Sequence, residues 1–290
     1  MRQLPDGVLN VKTSQLISPN ELNEQLGRDE LRIVDCRFDL ADPSGGRRDH
    51  ETAHIPRAVF MDLNEDLASS PDEKTGRHPL PDIETIEKTV GRLGIDNSTS
   101  VVVYDGGNGA MAARAWWIFR WLGHNDVRLL DGGLSAWSAL DFMLSRTHVS
   151  IRPANFVAEV RQELVITTSE ICADMGSIES LNILDARDAA RFAGDHEPID
   201  KVAGHIPGAR NLPFVDSLKR DGRWKDSERL RELWSRHLGE DNGAEWVAMC
   251  GSGVTACHLA LSAIEAGYSE PRLYVGSWSE WIRDPERPIS

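Results

Sequence analysis

Short apolar runs alternate along the chain with longer segments in which apolar residues recur at helical spacing. The apolar runs predict buried strands at residues 101–104, 181–184, 246–249 and 272–275. Residues 255–266 have the pattern of a helix that ends at Gly267, and residues 110–122 have the same pattern and end at Gly123. Strands that alternate with helices predict an α/β fold, in which a mainly parallel sheet is flanked by helices.

The same motifs occur twice and in the same order. IVDCR at residues 33–37 returns as ILDAR at 183–187, and HIPRA at 54–58 returns as HIPGA at 205–209. Each copy continues with an apolar strand and then with a segment that ends in tryptophan. Motifs that keep their order at a nearly constant spacing indicate a tandem duplication, in which differences in length fall in loops.

The repeat predicts two domains of one fold. We expect an N-terminal domain at residues 1–145, a linker at 146–164 and a C-terminal domain at 165–290. The length of 290 residues agrees with this division, because domains have roughly 150 residues on average.

The chain is acidic, with a net charge of −14, and it has no block of lysine and arginine that would bind a nucleic acid. No apolar run is long enough to cross a bilayer, and the N-terminal residues show neither a secretory signal nor a transit peptide. We therefore expect a cytoplasmic protein without nucleic-acid or membrane partners. A small anionic substrate remains compatible with this charge, because it responds to the local groups of its pocket.

The four cysteines are too few and too widely spaced for a disulfide framework. Cys36, Cys172, Cys250 and Cys257 contain no CxxC pair, which argues against a structural zinc site and against a thioredoxin-type motif. Reduced thiols are expected, and neither a metal nor an organic cofactor is predicted.

One cysteine stands where an α/β fold places its reactive groups. Cys250 directly follows a predicted strand, and a short loop with two glycines separates it from the next helix. The N–H groups of such a loop and the positive end of the helix dipole converge on one point and stabilise an anion there. A thiolate is the reactive form of cysteine, so we predict that Cys250 is a nucleophile rather than a buried apolar residue.

The segment CGSGVTA at residues 250–256 resembles the active-site loop of tandem-domain rhodanese-type sulfurtransferases. It is most similar to the form found in 3-mercaptopyruvate sulfurtransferases, because relatives that prefer thiosulfate usually have a basic residue after the cysteine. Here Gly251 and Ser252 follow it. The paired D-x-R and H-I-P-x-A motifs, the RAWW segment at 114–117 and the closing Trp281 fit the same family, so the resemblance covers almost the whole chain.

This resemblance implies two rhodanese-like domains and a double displacement. Cys250 would take a sulfur from the donor as a persulfide and pass it to a thiol or to cyanide, without a cofactor; a thioredoxin-like reductant is a further candidate partner. Ser252 would protonate the departing enolate, or would only bond the loop backbone. The remaining loop residues would bind substrate: Gly251, Gly253, Val254 and Thr255. Asp105 takes the place of the cysteine in the first copy, which implies that the N-terminal domain is catalytically silent.

An anionic donor needs a cation, and Arg187 and Arg191 are the candidates. Arg187 follows a predicted strand in the D-x-R motif, and Arg191 lies one helical turn later. Arg37 occupies the same place as Arg187 in the first copy, so an ion pair that is structural in both copies is the alternative.

Three further residues have open roles. The resemblance associates His54 with a relay to the loop serine, but the matching His205 favours a structural histidine beside a turn. Arg114 could reach the cleft between the domains or pack in the interface. Cys257 is expected to face the core, with a regulatory disulfide to Cys250 as the alternative.

Rival functions rest on weaker signals. Residues 107–112 match the dinucleotide fingerprint G-x-G-x-x-A, but they follow a later strand of the first copy instead of opening a βαβ unit. A cysteine phosphatase needs an arginine where Ala256 stands. A thiosulfate sulfurtransferase and a noncatalytic sulfur-binding protein remain as alternatives.

Overall fold

The computed structural model describes residues 14–175, 181–241 and 243–290. Strands and helices alternate in its first half, as the sequence pattern predicts. In chain order they are β1 (Leu16–Ile17), α1 (Pro19–Gln25), β2 (Leu31–Asp35), α2 (Gly45–Thr52), β3 (Ala58–Phe60), α3 (Ile83–Arg92), β4 (Ser100–Tyr104), α4 (Ala112–Trp121), β5 (Val127–Leu130) and α5 (Gly133–Ser138).

The second half repeats this succession. Its elements are β6 (Val165–Ile166), α6 (Thr168–Asp174), β7 (Ile183–Asp185), α7 (Ala189–Ala193), β8 (Arg210–Asn211), α8 (Ser227–Leu238), β9 (Val247–Met249), α9 (Thr255–Glu265), β10 (Arg272–Tyr274) and α10 (Ser277–Trp281). Two 3-10 turns, Gln162–Leu164 and Phe214–Ser217, stand in the connections.

Each half forms a parallel five-stranded sheet with the same strand order. The orders are β1-β5-β4-β2-β3 and β6-β10-β9-β7-β8. The central strands are apolar and buried, as in β4, where Val102 pairs with Ile33 of β2. The α/β fold and the duplication are therefore confirmed. The predicted strands and helices lie within one or two residues of the observed ones.

Local signals that start helices are also duplicated. Ser18 accepts the N–H of Glu21 at the start of α1, and Thr167 accepts the N–H of Glu170 at the start of α6. In both pairs the glutamate returns a bond to the capping residue, which satisfies amides that the first helical turn leaves unpaired.

Helices α4 and α9 join the two halves. They pack against each other, and both are buried along almost their whole length, including Trp116 and Trp117 of α4. An all-round apolar helix must be covered on every side, and here one side meets its own sheet while another meets the other domain. One apolar cluster consequently extends from Val34 in the first sheet to Leu184 in the second.

The segment between the sheets runs along the first domain. Ala154 donates its N–H to the carbonyl of Gly91 at 2.8 Å, and Glu159 donates to that of Leu122 at 2.9 Å. The domain boundaries at residues 145 and 165 stay predictions, and residues 1–13 and 176–180, which fall inside the two proposed domains, lie outside the described residues. No helix in the described part of the chain is both long and apolar enough to span a membrane.

Candidate active site

The backbone around Cys250 is held from both sides. Its N–H donates to Oγ of Ser277 at 3.1 Å, and its carbonyl accepts the N–H of Trp278 at 3.0 Å. Gly253 has a φ of 75°, and a Cβ there would lie 2.5 Å from the carbonyl oxygen of Val275. Only glycine fits this position, so the tight turn between β9 and α9 depends on it.

The sulfur of Cys250 points into this turn and is buried, at 2% exposure. The N–H of Gly253 donates to Sγ at 3.1 Å. Gly251, Val254 and Thr255 complete the same loop and the first residue of α9. The arrangement is the strand–loop–helix site that the sequence predicts, in which backbone amides and a helix N-terminus favour a negative charge.

Ser252 meets a histidine from the other domain. Its Oγ lies 2.8 Å from Nδ1 of His78, and both side chains are buried. Burial, reinforced by the charges of Arg114 and Arg77, lowers the pKa of His78 to about 3. The ring is therefore neutral at physiological pH and shares a hydrogen bond with the hydroxyl.

His54 does not take part in this contact. Its Nδ1 bonds the carbonyl of His50 at 2.6 Å, its Nε2 bonds the carbonyl of Thr147 at 3.3 Å, and its ring stacks on that of His50. His205 in the second domain is held in the same way by the carbonyl and ring of Phe192. The hydroxyl of Ser252 thus contacts His78 and not His54, and the structural role that the repeated H-I-P motif favours agrees with the contacts of both copies.

A repeated tripeptide could have revealed His78. Gly76-Arg77-His78 in the first half corresponds to Gly222-Arg223-Trp224 in the second, in the loops that follow the β3 and β8 regions. Each tripeptide reaches across to the other domain. A Cβ on Gly76 would lie 2.4 Å from the carbonyl oxygen of Gly276, and the N–H of Trp224 donates to the carboxylate of Asp131 in the first domain at 2.8 Å.

Acid is expected to destabilise this interface through two histidines. Burial also lowers the pKa of His258 to about 3; its Nε2 lies 3.2 Å from the carbonyl oxygen of Asn108. Above pH 6.5, the ordinary histidine pKa, neither the folded nor the unfolded chain protonates these rings. Below pH 6.5 only the unfolded chain takes up the protons, so the free energy of unfolding falls by about 1.4 kcal/mol per pH unit for each histidine.

Urea unfolding at pH 7.5 and 5.5, followed by tryptophan fluorescence, measures this loss. In His258→Gln the loss should be smaller than in the wild type by about 1.4 kcal/mol, because one titrating group is gone. An equal loss in both proteins would contradict the assignment.

Arg114 crosses from α4 to the cysteine loop. Its guanidinium is completely buried and donates to the carbonyl of Gly253 at 3.2 Å, and to those of His78 and Leu67 at 3.0 and 3.3 Å. In residues 14–175, 181–241 and 243–290 no carboxylate forms an ion pair with it. A buried positive charge therefore lies behind the loop, and it joins both domains to the backbone beside Cys250.

Arg187 and Arg191 differ in the partners of their guanidinium N–H groups and in their exposure. Arg187 is buried and forms an ion pair with Asp185 at 2.7 Å, and it also donates to the carbonyl of Gly204 at 2.8 Å. Arg37 makes the same pair with Asp35 in the first domain. Arg191 pairs with Glu197 and Asp200 at 2.9 and 3.0 Å, and its guanidinium reaches the space above Gly251.

The corresponding loop of the first domain is filled by its own side chain. The carboxylate of Asp105 accepts the N–H groups of Gly107, Gly109 and Met111 at 2.9 to 3.0 Å and that of Ala112 at 3.3 Å. It is 3% exposed. The amides that the G-x-G-x-x-A pattern would offer to a pyrophosphate are thus already bonded to an internal anion, which argues against a dinucleotide site.

The loops that contain Asp105 and Cys250 nevertheless have the same backbone conformation at their glycines. Gly109 and Gly253 both lie in the left-handed region, with φ of 76° and 75°, and each precedes a helix of the α4–α9 pair. What differs is the occupant of the loop centre, a carboxylate at Asp105 and a sulfur at Cys250.

The model of the rhodanese-like domain matches the chain twice, at residues 18–140 and 168–284. The chain belongs to the rhodanese family. A probable 3-mercaptopyruvate sulfurtransferase of Pseudomonas aeruginosa is 46% identical over 97% of this chain and 99% of its own length. The mouse thiosulfate sulfurtransferase is 35% identical over 90% of this chain and 88% of its own.

Solved structures agree with this assignment. The 3-mercaptopyruvate sulfurtransferase of Leishmania major superposes with a TM-score of 0.82 at 31% identity, over 92% of this chain and 74% of that one. The rhodanese-type resemblance, with tandem domains and a sulfurtransferase family, is confirmed. The roles of the individual site residues stay predictions.

Proposed function

We propose that this rhodanese-family protein transfers sulfur from 3-mercaptopyruvate, through a persulfide on Cys250, to a thiol or to cyanide. The contact between Ser252 and His78 carries the proposal. It provides a hydroxyl two residues from the nucleophile, together with a neutral ring that can exchange a proton with it. A proton is what the carbon left behind by 3-mercaptopyruvate requires.

The first half-reaction breaks one carbon–sulfur bond and forms one sulfur–sulfur bond. The thiolate of Cys250 attacks the sulfur of the donor, and the electrons of the carbon–sulfur bond move onto the enolate of pyruvate. Ser252 donates its proton to the enolate carbon and receives one from Nδ1 of His78 while the other ring nitrogen takes a proton from water, so the ring stays neutral throughout. The proton of the donor thiol remains on the outer sulfur of the persulfide and is released from there to the water. In the second half-reaction the acceptor attacks the outer sulfur of the persulfide, and Cys250 leaves as the thiolate.

Fixed dipoles and one buried cation support the anionic forms of the sulfur. The N–H of Gly253 already donates to Sγ, and the guanidinium of Arg114 donates to the carbonyl of the same residue. We assign Gly251, Val254 and Thr255 to the rest of this anion-binding loop. Such groups are oriented before the reaction, so little reorganisation is needed when charge develops.

The donor carboxylate is better placed at Arg191 than at Arg187. The donors of Arg187 point to Asp185, Glu197 and Gly204, and its side chain is 1% exposed. We therefore propose that Arg187 is a positioning residue that holds the loop after β7. Arg191 is more exposed, at 12%, and its guanidinium lies near Gly251.

Thiosulfate is the alternative donor, supported by the similarity to a thiosulfate sulfurtransferase. Attack on its outer sulfur releases sulfite, and no carbon has to be protonated. The two donors therefore differ in their need for Ser252.

We expect a higher kcat/KM with 3-mercaptopyruvate than with thiosulfate when cyanide is the acceptor. Ser252→Ala should lower kcat/KM for 3-mercaptopyruvate by about 100-fold, a usual effect of losing a general acid, and change that for thiosulfate less than about 3-fold. Steady-state assays of wild type and variant with both donors measure this. A higher wild-type kcat/KM for thiosulfate would reverse the assignment of the donor.

We further propose that the first domain is catalytically silent and forms one wall of the site. The carboxylate of Asp105 fills its loop, and His78 and Arg114 are its contributions to the other domain. For the acceptor we propose a thiol, with a thioredoxin-like reductant as a candidate, and a cytoplasmic setting. All four cysteines are free, which suits a reducing compartment.

A further inference from the structure

We propose that Arg77, a residue of the first domain, determines donor specificity by binding the donor carboxylate together with Arg191. This inference rests on the proposed function, because it specifies how the site recognises an α-keto acid. It would make the catalytically silent domain a direct contributor to substrate binding.

The loop that carries Arg77 is fixed against the second domain by its backbone. The N–H of Arg77 donates to Oγ of Ser279 at 3.0 Å, and the carbonyl of Thr75 accepts from Arg283 at 3.2 Å. Gly76 leaves no room for a side chain against Gly276. The backbone that carries the Arg77 side chain is therefore held next to the cysteine loop by contacts of Arg77 itself and of the two residues before it.

The guanidinium of Arg77 has one paired side and one unpaired side. Nη1 forms an ion pair with Asp200, which also receives Nη2 of Arg191 at 3.0 Å. In the described part of the chain, Nη2 of Arg77 and Nη1 of Arg191 have no hydrogen-bond partner, and Nε of Arg77 is buried without one. Asp200 thus holds the two arginines side by side, and each arginine keeps at least one N–H group without a hydrogen-bond partner.

The unused donors meet above Gly251. A Cβ on Gly251 would lie 3.0 Å from Nη2 of Arg77 and 3.5 Å from Nη1 of Arg191. This point is one residue from the nucleophile, where a donor bound for attack by Cys250 would place its polar end. Two guanidinium donors that converge on one point suit a carboxylate, which has two oxygens to accept them.

The acidic chain makes such a local site necessary. With a net charge of −14 the protein repels anions at long range, so the pocket must attract the donor by short, directed bonds. Position 251 carries no cation of its own, and a basic side chain there would be in close contact with the guanidinium groups of both arginines, which carry the same charge. The cation next to the nucleophile comes instead from the other domain.

The chain contains a matched control for Arg77. Arg223 stands in the corresponding Gly-Arg-Trp tripeptide, pairs with Asp221 at 2.7 Å and has a side chain that is 53% exposed. It lies beside Gly132 of the first domain, on the side of the silent loop. Replacing it removes the same charge from the chain without touching the cysteine loop.

The test compares Arg77→Gln, Arg77→Lys and Arg223→Gln with the wild type. We expect Arg77→Gln to raise KM for 3-mercaptopyruvate by at least about 10-fold, the effect of one charge-assisted hydrogen bond, while kcat changes less than about 3-fold. Arg77→Lys should recover part of the loss, and Arg223→Gln should behave as wild type. Thermal unfolding of each variant checks that it is folded.

A second readout does not depend on turnover. Pyruvate, the product that keeps the carboxylate, should slow the alkylation of Cys250 by iodoacetamide, and about 10-fold more pyruvate should be needed in Arg77→Gln. Unchanged KM and unchanged pyruvate protection in Arg77→Gln would overturn the inference, as would an equal loss in Arg223→Gln. A wild type that ignores 3-mercaptopyruvate would refute the proposed function, and the pyruvate experiment would still decide the role of Arg77.

Discussion

Cys250→Ser is expected to abolish sulfur transfer, with a loss of at least about 10,000-fold, whereas Cys257→Ser should keep most of the activity. A serine hydroxyl cannot form the persulfide, so the double displacement has no intermediate. Cys257 lies in the first turn of α9, and its thiol is fully buried. It donates to the carbonyl of Gly253 at 3.2 Å, and burial raises its pKa to about 12. It therefore stays protonated and is a poor nucleophile.

Mass spectrometry locates the transferred sulfur. After treatment with 3-mercaptopyruvate, the peptide that contains Cys250 should gain the mass of one sulfur atom, and peptides with the other cysteines should not. Cys36 serves as an internal control, because it is also buried and its pKa is raised well above the usual value. Sulfur found on Cys257 or Cys36 would contradict the assignment of the nucleophile.

Arg114→Met is expected to lower turnover by about 100-fold and the free energy of unfolding by about 3 kcal/mol or more. Methionine fills similar space but cannot donate to the three carbonyls that Arg114 bonds; those of His78 and Leu67 would lose this donor, and that of Gly253 would keep only the weaker bond from the thiol of Cys257. The peptide of Gly253 would lose its contact with the first domain. Because the N–H that bonds Sγ belongs to the same residue, a shift of Gly253 would also disturb its bond to the sulfur.

Chemical denaturation and steady-state assays test this second prediction. Arg92→Met is the control: Arg92 is an exposed arginine near the end of α3, and its loss should change stability by less than about 0.5 kcal/mol. Arg114→Lys keeps the charge but not the fork of donors, so it should fall between the wild type and Arg114→Met. Wild-type turnover in a folded Arg114→Met variant would show that the arginine is only an interface residue.

Much of the fold can be predicted from the sequence because its signals are local. The apolar run at β4 and the helical pattern that ends before Gly267 follow from backbone periodicity and from the freedom of glycine at positive φ. The strand–loop–helix setting of Cys250 follows for the same reason. The repeat adds the domain organisation, because two similar patterns in one chain require two similar folds.

The residues that complete the site could not be placed in this way. His78 lies 174 residues from Ser252 in the chain, and Arg114 lies 139 residues from Gly253. Their contacts arise only when the two domains pack through α4 and α9. Packing between two surfaces produces no periodic pattern in the sequence of either one, so these contacts cannot be read from the sequence. The family resemblance instead associated His54 with the relay, while the repeat of H-I-P favoured a structural role, and His54 bonds carbonyls within its own half of the chain.

The sequence by itself determined a duplicated α/β chain with one cysteine in an anion-binding loop, since strand, turn and helix signals act over a few residues. Only the tertiary structure decided which arginines and which histidine lie beside the loop of that cysteine. Arg187 is neutralised by Asp185 within its own motif, whereas Arg77 and His78 arrive from the other domain. The reason is physical: a charged side chain is available to a ligand only after its burial and its partners are known, and both depend on packing.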